Sequence, residues 1–163
     1  GGPQAGLVLG TRELVGLLAA HPPARALRAD KLTLAALHAT LLHYARHEAA
    51  TAVPVWRMIA RGPAELGERA GAMAKAIGPQ ASVIDGSSAM GGGSLPGDVM
   101  ETRLVCVDPS AVSGTAEAVA HGLRTGMPAV MARIDAGRIL LDPRTVPPGR
   151  DADVAAAVRA ALV

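Results

Sequence analysis

Two arginines three residues apart, Arg25 and Arg28, stand just ahead of Asp30 and a run that holds neither Gly nor Pro. A guanidinium is a planar fork of donors that matches phosphate and carboxylate oxygens, and such a pair beside a helix start is an arrangement that holds anions. Basic residues here are almost all of this kind, fourteen Arg against the two lysines Lys31 and Lys75. Lysine is the usual Schiff-base former, so each needs its own reading. Lys31 enters the first turn of the expected helix, where an ammonium faces the unfavourable end of the dipole. A solvated or carboxylate-paired role suits it better. Lys75, late in a polar helix, reads as surface.

The most unusual string is GGGSLPG at residues 91–97. Its glycines let a backbone approach a ligand or another chain closely and permit positive φ angles. It is no Walker loop, because no Gly-Lys-Ser/Thr follows. A ligand-facing loop built on Gly92, Gly93 and Ser94 and a tight structural connection both stay open. His43 and His47 lie one helical turn apart, a metal-ligand spacing, yet no third ligand accompanies them and solvated histidines are expected. Ser87, Ser88 and Ser94 have no evident His–Asp companion, which gives a hydrolase triad little support. Cys106 alternates within an apolar strand and reads as core, and His38 and His121 have no nameable partner.

The 163 residues are half apolar, enough for one sizeable core or parts of two. A formal charge of +2 is too small to argue for nucleic acid. One cysteine excludes an internal disulfide and fits a reducing cytoplasm. No signal-like start and no apolar run of membrane-spanning length is present, so a soluble cytoplasmic protein is expected. The chain opens Gly-Gly-Pro rather than Met, with first residues that read as the interior of a fold, and a fragment is expected.

The elements that must position these residues follow from periodicity and punctuation. Residues 5–9 read as a short buried strand, and 13–20 as a helix stopped by His21-Pro22-Pro23, which delivers the chain to Arg25 in extended form. Leu34, Leu37, Leu41 and Tyr44 share one face of a helix from near Lys31 to near Glu48, capped by Asp30. Pro54 starts a further helix with Trp56 as its aromatic anchor, and residues 64–77 form another, stopped by Gly78-Pro79. Strands are expected at 82–85 and 103–107, a helix at 115–124, and an apolar hairpin pairing 129–134 with 138–141 through Asp135-Ala136-Gly137. An Ala-rich helix capped by Asp151 closes the chain at 151–162. The pattern is a small two-layer α+β unit whose border lies near residues 49–53.

Taken together, GGPQAG at 1–6, RALRADKLTLAALHATL at 25–41, VPVWRMI at 53–59, GGGSLPG at 91–97 and MARIDAGRILLDPRTV at 131–146 resemble the C-terminal third of bacterial selenocysteine synthase, the L-seryl-tRNA(Sec) selenium transferase family. The resemblance implies an α/β enzyme of the aspartate-aminotransferase-like group that uses pyridoxal 5'-phosphate. Residues 1–50 would close the large fold-type-I cofactor domain, and 51–163 would form a small C-terminal α+β domain with a mostly antiparallel sheet of about four strands. The Schiff-base lysine would lie just upstream of GGPQAG, so no catalytic residue falls within this chain.

The implied reaction converts seryl-tRNA(Sec) to selenocysteinyl-tRNA(Sec). Serine is held as an aldimine, water is eliminated to an aminoacrylyl intermediate, and selenium is added from selenophosphate. Arg25 and Arg28 match the family's arginines and are the natural seat for that donor's phosphate. Contacts with tRNA would come mainly from an N-terminal region absent here, and a homo-oligomer is implied, with no membrane role. Ala29 and His38 are mild departures that touch none of these roles. Two other readings stand beside this one: a related pyridoxal-phosphate lyase acting on an amino-sugar phosphate, and a non-enzymatic α+β association module.

Overall fold

The computed structural model describes residues 1–90, 97–112 and 114–163. The expectations for Gly92, Gly93 and Ser94 therefore lie outside the described residues. The chain divides into two compact units, Gly1–Arg57 and Met58–Val163.

The first unit is helical: α1 (Arg12–Ala20), α2 (Pro22–Ala26), α3 (Lys31–Ala45), α4 (Ala49–Ala52) and the start of α5 (Pro54–Ile59). Thr11 caps α1 by accepting from the Leu14 amide. The strand expected at 5–9 does not form; Leu7, Val8 and Leu9 are exposed, and no described strand pairs with them. A strand needs a neighbour for its backbone groups, which apolar composition cannot supply. Pro22 and Pro23 do not hold the chain extended either. They occupy the first turn of α2, where a missing N–H costs nothing and the fixed φ suits a helix.

Asp30 caps α3 as expected, but the helix ends at Ala45, and His47 sits beyond it at φ 59°. Leucines 32, 34, 41 and 42 are all exposed, so the apolar surface of α3 runs around the helix rather than along one stripe. Trp56 is not a buried anchor; it is half-exposed, and its indole N–H donates to the Tyr44 hydroxyl. Val53 alone among residues 1–57 is buried.

The second unit holds a true core. Its order is α6 (Pro63–Ile77), β1 (Ala81–Ala89), β2 (Val99–Val107), α7 (Ala116–Thr125), β3 (Arg133–Asp135), β4 (Arg138–Leu141) and α8 (Asp151–Ala161), with 3-10 turns at Pro109–Val112 and Pro143–Thr145. The four strands form one antiparallel sheet in the order β1-β2-β4-β3, matching the mostly antiparallel two-layer expectation. β1 and β2 are longer than their apolar runs, because nine cross-strand pairs from Ala81↔Val107 to Ala89↔Val99 carry the ladder through polar residues. β3 is shorter: residues 129–132 stay outside it, and the strand begins at Arg133. The turn at Ala136 and Gly137 has φ of 47° and 72°, the double positive value a tight two-residue hairpin demands.

Alternation sorts the sheet into two faces. Val105, Val107, Ile139 and Leu141 join Ala70, Met73 and Ile77 of α6, Val119 and Leu123 of α7 and Val158 of α8 in the main core. Leu104, Cys106 and Leu140 form a smaller cluster on the other face with Ile84 packed against it. Asp151 is the first residue of α8 rather than its cap. Arg69 takes its carboxylate in a forked pair at 2.8 and 2.6 Å.

Candidate anion site and a buried arginine network

Arg25 lies in the last turn of α2, and Arg28 lies two residues short of the Asp30 cap. Both are exposed, and both line one depression of about 660 Å³ with His21, Pro22, Ala24 and the end of α1 at Ala19 and Ala20. The local sequence explains the placement. The proline pair starts α2 at once, five residues exhaust it, and Asp30 forces a new helix to begin. Two short-range constraints thus hold the guanidinium groups beside one hollow.

Asp30 does not neutralise them. Its Oδ1 accepts from the Thr33 amide and its Oδ2 from the Thr33 hydroxyl, each at 2.9 Å. Those bonds, the backbone one first, hold its carboxyl below the usual aspartate range. Among the described residues neither Arg25 nor Arg28 forms an ion pair, and the His21 ring makes no hydrogen bond. The hollow presents two uncommitted cations and an uncommitted imidazole. Such a set can bind an anion of phosphate type.

The other residues singled out by sequence do not join it. His43 Nδ1 sits 3.1 Å from Glu48 Oε2, and with His47 past the helix end the one-turn spacing is lost. Among the described residues no group of three or more His, Cys, Asp or Glu could hold a metal. Lys31 and Lys75 are exposed, on the first and last turns of their helices, so this chain offers an imine-forming cofactor no enclosed lysine. Cys106 is buried in the small apolar cluster, as expected.

A second polar centre was invisible to spacing. Arg144 is only 3% exposed, and its side chain is fully engaged. Nε donates to Ser88 Oγ at 3.1 Å, Nη1 to the Met58 and Arg61 carbonyls at 2.9 Å each, and Nη2 to the Glu101 carbonyl at 2.6 Å. Met58 and Ile59 close α5, whose last carbonyls have no intrahelical partner, and Arg61 follows two residues beyond its end. Arg144 serves as their cap. Arg61 returns the favour, donating to the carbonyls of Pro143, Arg144 and Val146 around the second 3-10 turn at 3.0–3.2 Å. Asp142 accepts from Ser88 Oγ, from Thr102 Oγ1 and from the Arg144 amide. Ser88 thus has an aspartate but no histidine, and its hydroxyl is spent inside the protein. The arrangement braces the unit and has no free nucleophile. Its sequence signal was the Asp142-Pro143-Arg144-Thr145 string, to which spacing assigned no role.

The family profile of L-seryl-tRNA selenium transferase (SelA) matches residues 1–147, the whole of the first unit and the second as far as residue 147. The chain belongs to that family. An L-seryl-tRNA(Sec) selenium transferase of Nitratidesulfovibrio vulgaris is 43% identical over 169 aligned positions, covering 99% of this chain and 36% of the relative. One of Carboxydothermus hydrogenoformans is 35% identical, covering 90% and 32%. The chain therefore spans about a third of the length of the selenium transferases it matches. A solved structure of D-glucosaminate-6-phosphate ammonia-lyase superposes with a TM-score of 0.54 at 27% identity, over 85% of this chain and 34% of that one. The family assignment bears out the resemblance read from the five sequence strings. No helix among the described residues is long and apolar enough to cross a membrane.

Proposed function

We propose that this chain is the C-terminal third of a selenium transferase, and that Arg25 and Arg28 seat the phosphate of the selenium donor. The whole enzyme converts seryl-tRNA(Sec) to selenocysteinyl-tRNA(Sec) with selenophosphate, using pyridoxal 5'-phosphate as an electron sink. Residues 1–50 close its cofactor domain, and 51–163 form its small C-terminal domain. The apolar surface of α1 and α3 supports that division. A helix apolar on all sides is normally buried, yet Leu14, Leu17, Leu34 and Leu41 are exposed here. The remaining two-thirds of the enzyme carry the Schiff-base lysine and most tRNA contacts, and the enzyme works as a homo-oligomer.

The observation that carries the donor site is the shared depression at Arg25 and Arg28, with no carboxylate among the described residues paired to either. Forked, charge-assisted bonds to a phosphate contribute roughly 1.5–3 kcal/mol each and fix its orientation as well. In a full-length enzyme, Arg28→Ala raises the selenophosphate KM without loss of bound cofactor, and Arg28→Lys restores only part, because a point charge lacks the fork. Unchanged donor kinetics in the Arg25→Ala, Arg28→Ala double variant would remove both residues from the site.

The likeness to the ammonia-lyase favours one second reading, a lyase acting on an amino-sugar phosphate whose phosphate would use the same arginines. Identity of 35–43% to selenium transferases against 27% to the lyase weighs against it. Ammonia release from D-glucosaminate 6-phosphate by the full-length enzyme would decide for the lyase.

A further inference from the structure

We infer that His21 is a third member of the anion site and makes anion binding proton-linked; this rests on the anion-site reading above. His21 lines the same depression as Arg25 and Arg28, and its ring is committed to neither helix. Its backbone is fixed on both sides. The His21 amide donates to the Leu18 carbonyl at 3.2 Å and its carbonyl accepts from the Ala24 amide at 2.9 Å. The ring is thus anchored at the hollow while both nitrogens remain available.

The charged residues lining the hollow are Arg25 and Arg28, with Ala19, Ala20, Pro22 and Ala24 completing the wall. Among the described residues no carboxylate lines it. An anion seated in the hollow favours a third positive donor beside it. Imidazole titrates in the physiological range, so anion uptake and proton uptake become coupled, and by linkage the coupling is reciprocal. The site then holds a dianion more tightly as pH falls, and it releases its His21 proton as the anion departs. For a donor whose phosphate is set free after selenium is delivered, that proton sits where the phosphate is held.

Inorganic sulfate is the probe, because it stays a dianion throughout the working range and adds no titration of its own. The full chain is titrated with sulfate at fixed ionic strength near pH 6 and pH 8, followed by NMR of the His21 ring and by calorimetry. Expected is a sulfate affinity that rises roughly fivefold from the higher to the lower pH, with the His21 ring midpoint moving up at saturating sulfate. In His21→Gln the rise in affinity is lost; His38, His43 and His47 remain and serve as the internal control. Equal pH dependence in wild type and His21→Gln, or a ring midpoint indifferent to sulfate, overturns the inference. The Arg25→Ala, Arg28→Ala variant separates the two levels. If it binds sulfate as wild type does, the anion-site reading itself fails. If it loses binding while His21→Gln behaves as wild type, only the histidine's role fails.

Discussion

Replacing Arg144 tests the brace most directly. Arg144→Ala deletes the donors that serve four backbone carbonyls and Ser88 Oγ, and it leaves a void where a 3%-exposed side chain stood. A buried acceptor left unpaired costs about 1–3 kcal/mol, and water admitted to the void recovers some of that. The expected loss is therefore about 4 kcal/mol, within the ~3–5 kcal/mol typical of removing one partner from a buried charged contact. Against a usual stability of about 5–15 kcal/mol, such a loss is large enough to measure without ambiguity. Urea unfolding followed by far-ultraviolet circular dichroism gives the number, with the slope m checked for constancy. Arg144→Lys recovers less than half, since one ammonium cannot span carbonyls from two segments and a hydroxyl. Arg150→Ala, which breaks only an exposed pair with Asp153, stays within about 0.5 kcal/mol. A loss below about 1 kcal/mol for Arg144→Ala at unchanged m would refute the bracing role.

Other outcomes follow from single contacts. A Cβ at Gly86 would meet Leu104 Cγ at 2.8 Å, so Gly86→Ala costs about 1–3 kcal/mol, and Leu104→Ala in that background costs less than in wild type; additive losses in the double-variant cycle would show no clash. Asp30 has a folded pKa below its unfolded one, so its stabilising effect is complete above the ordinary aspartate range and fades as pH falls through the folded value. Carbon-detected NMR should find Asp30 titrating low in wild type and nearer the ordinary value in Thr33→Ala. Mixing the purified chain with pyridoxal phosphate gives no stoichiometric visible band that depends on Lys31 or Lys75, because both are exposed; a band lost in Lys31→Ala would contradict that placement.

Helices were the most legible part of the sequence, because caps and breakers are local chemistry. The helices expected near Lys31, at 64–77 and at 115–124 start within a residue or two of those positions. The hairpin at residues 133–141 was legible for the same reason, through Ala136-Gly137. Failures came where composition stood in for partners. Residues 5–9 have strand-like composition and nothing to pair with, whereas Ser87 and Ser88 pair in a strand despite being polar. The proline pair was read as a stop, although a proline in the first turn is also a start. That Arg25 and Arg28 stand together could be read from type and spacing, and both line one depression; their anion-binding role is the proposal made above. His21 was passed over because the same residue doubled as punctuation. The Arg144 brace joins groups more than forty residues apart in the chain, a distance that spacing rules cannot reach.

The sheet order carries a kinetic consequence. β1-β2 and β3-β4 are both antiparallel neighbours in sequence, so each can zip from its own connection on a microsecond scale. The two ribbons meet only where Val105, Cys106 and Val107 face Leu141, Leu140 and Ile139, three pairs separated by more than thirty residues. All six are buried, and that seam lies between the main core and the smaller cluster. Part of the unit's loop-closure entropy falls on this seam, as part falls on the docking of α8 against α6, and apolar contact must offset it before the ladder can help. Joining the two ribbons across these six side chains is then a slower step than forming either ribbon alone.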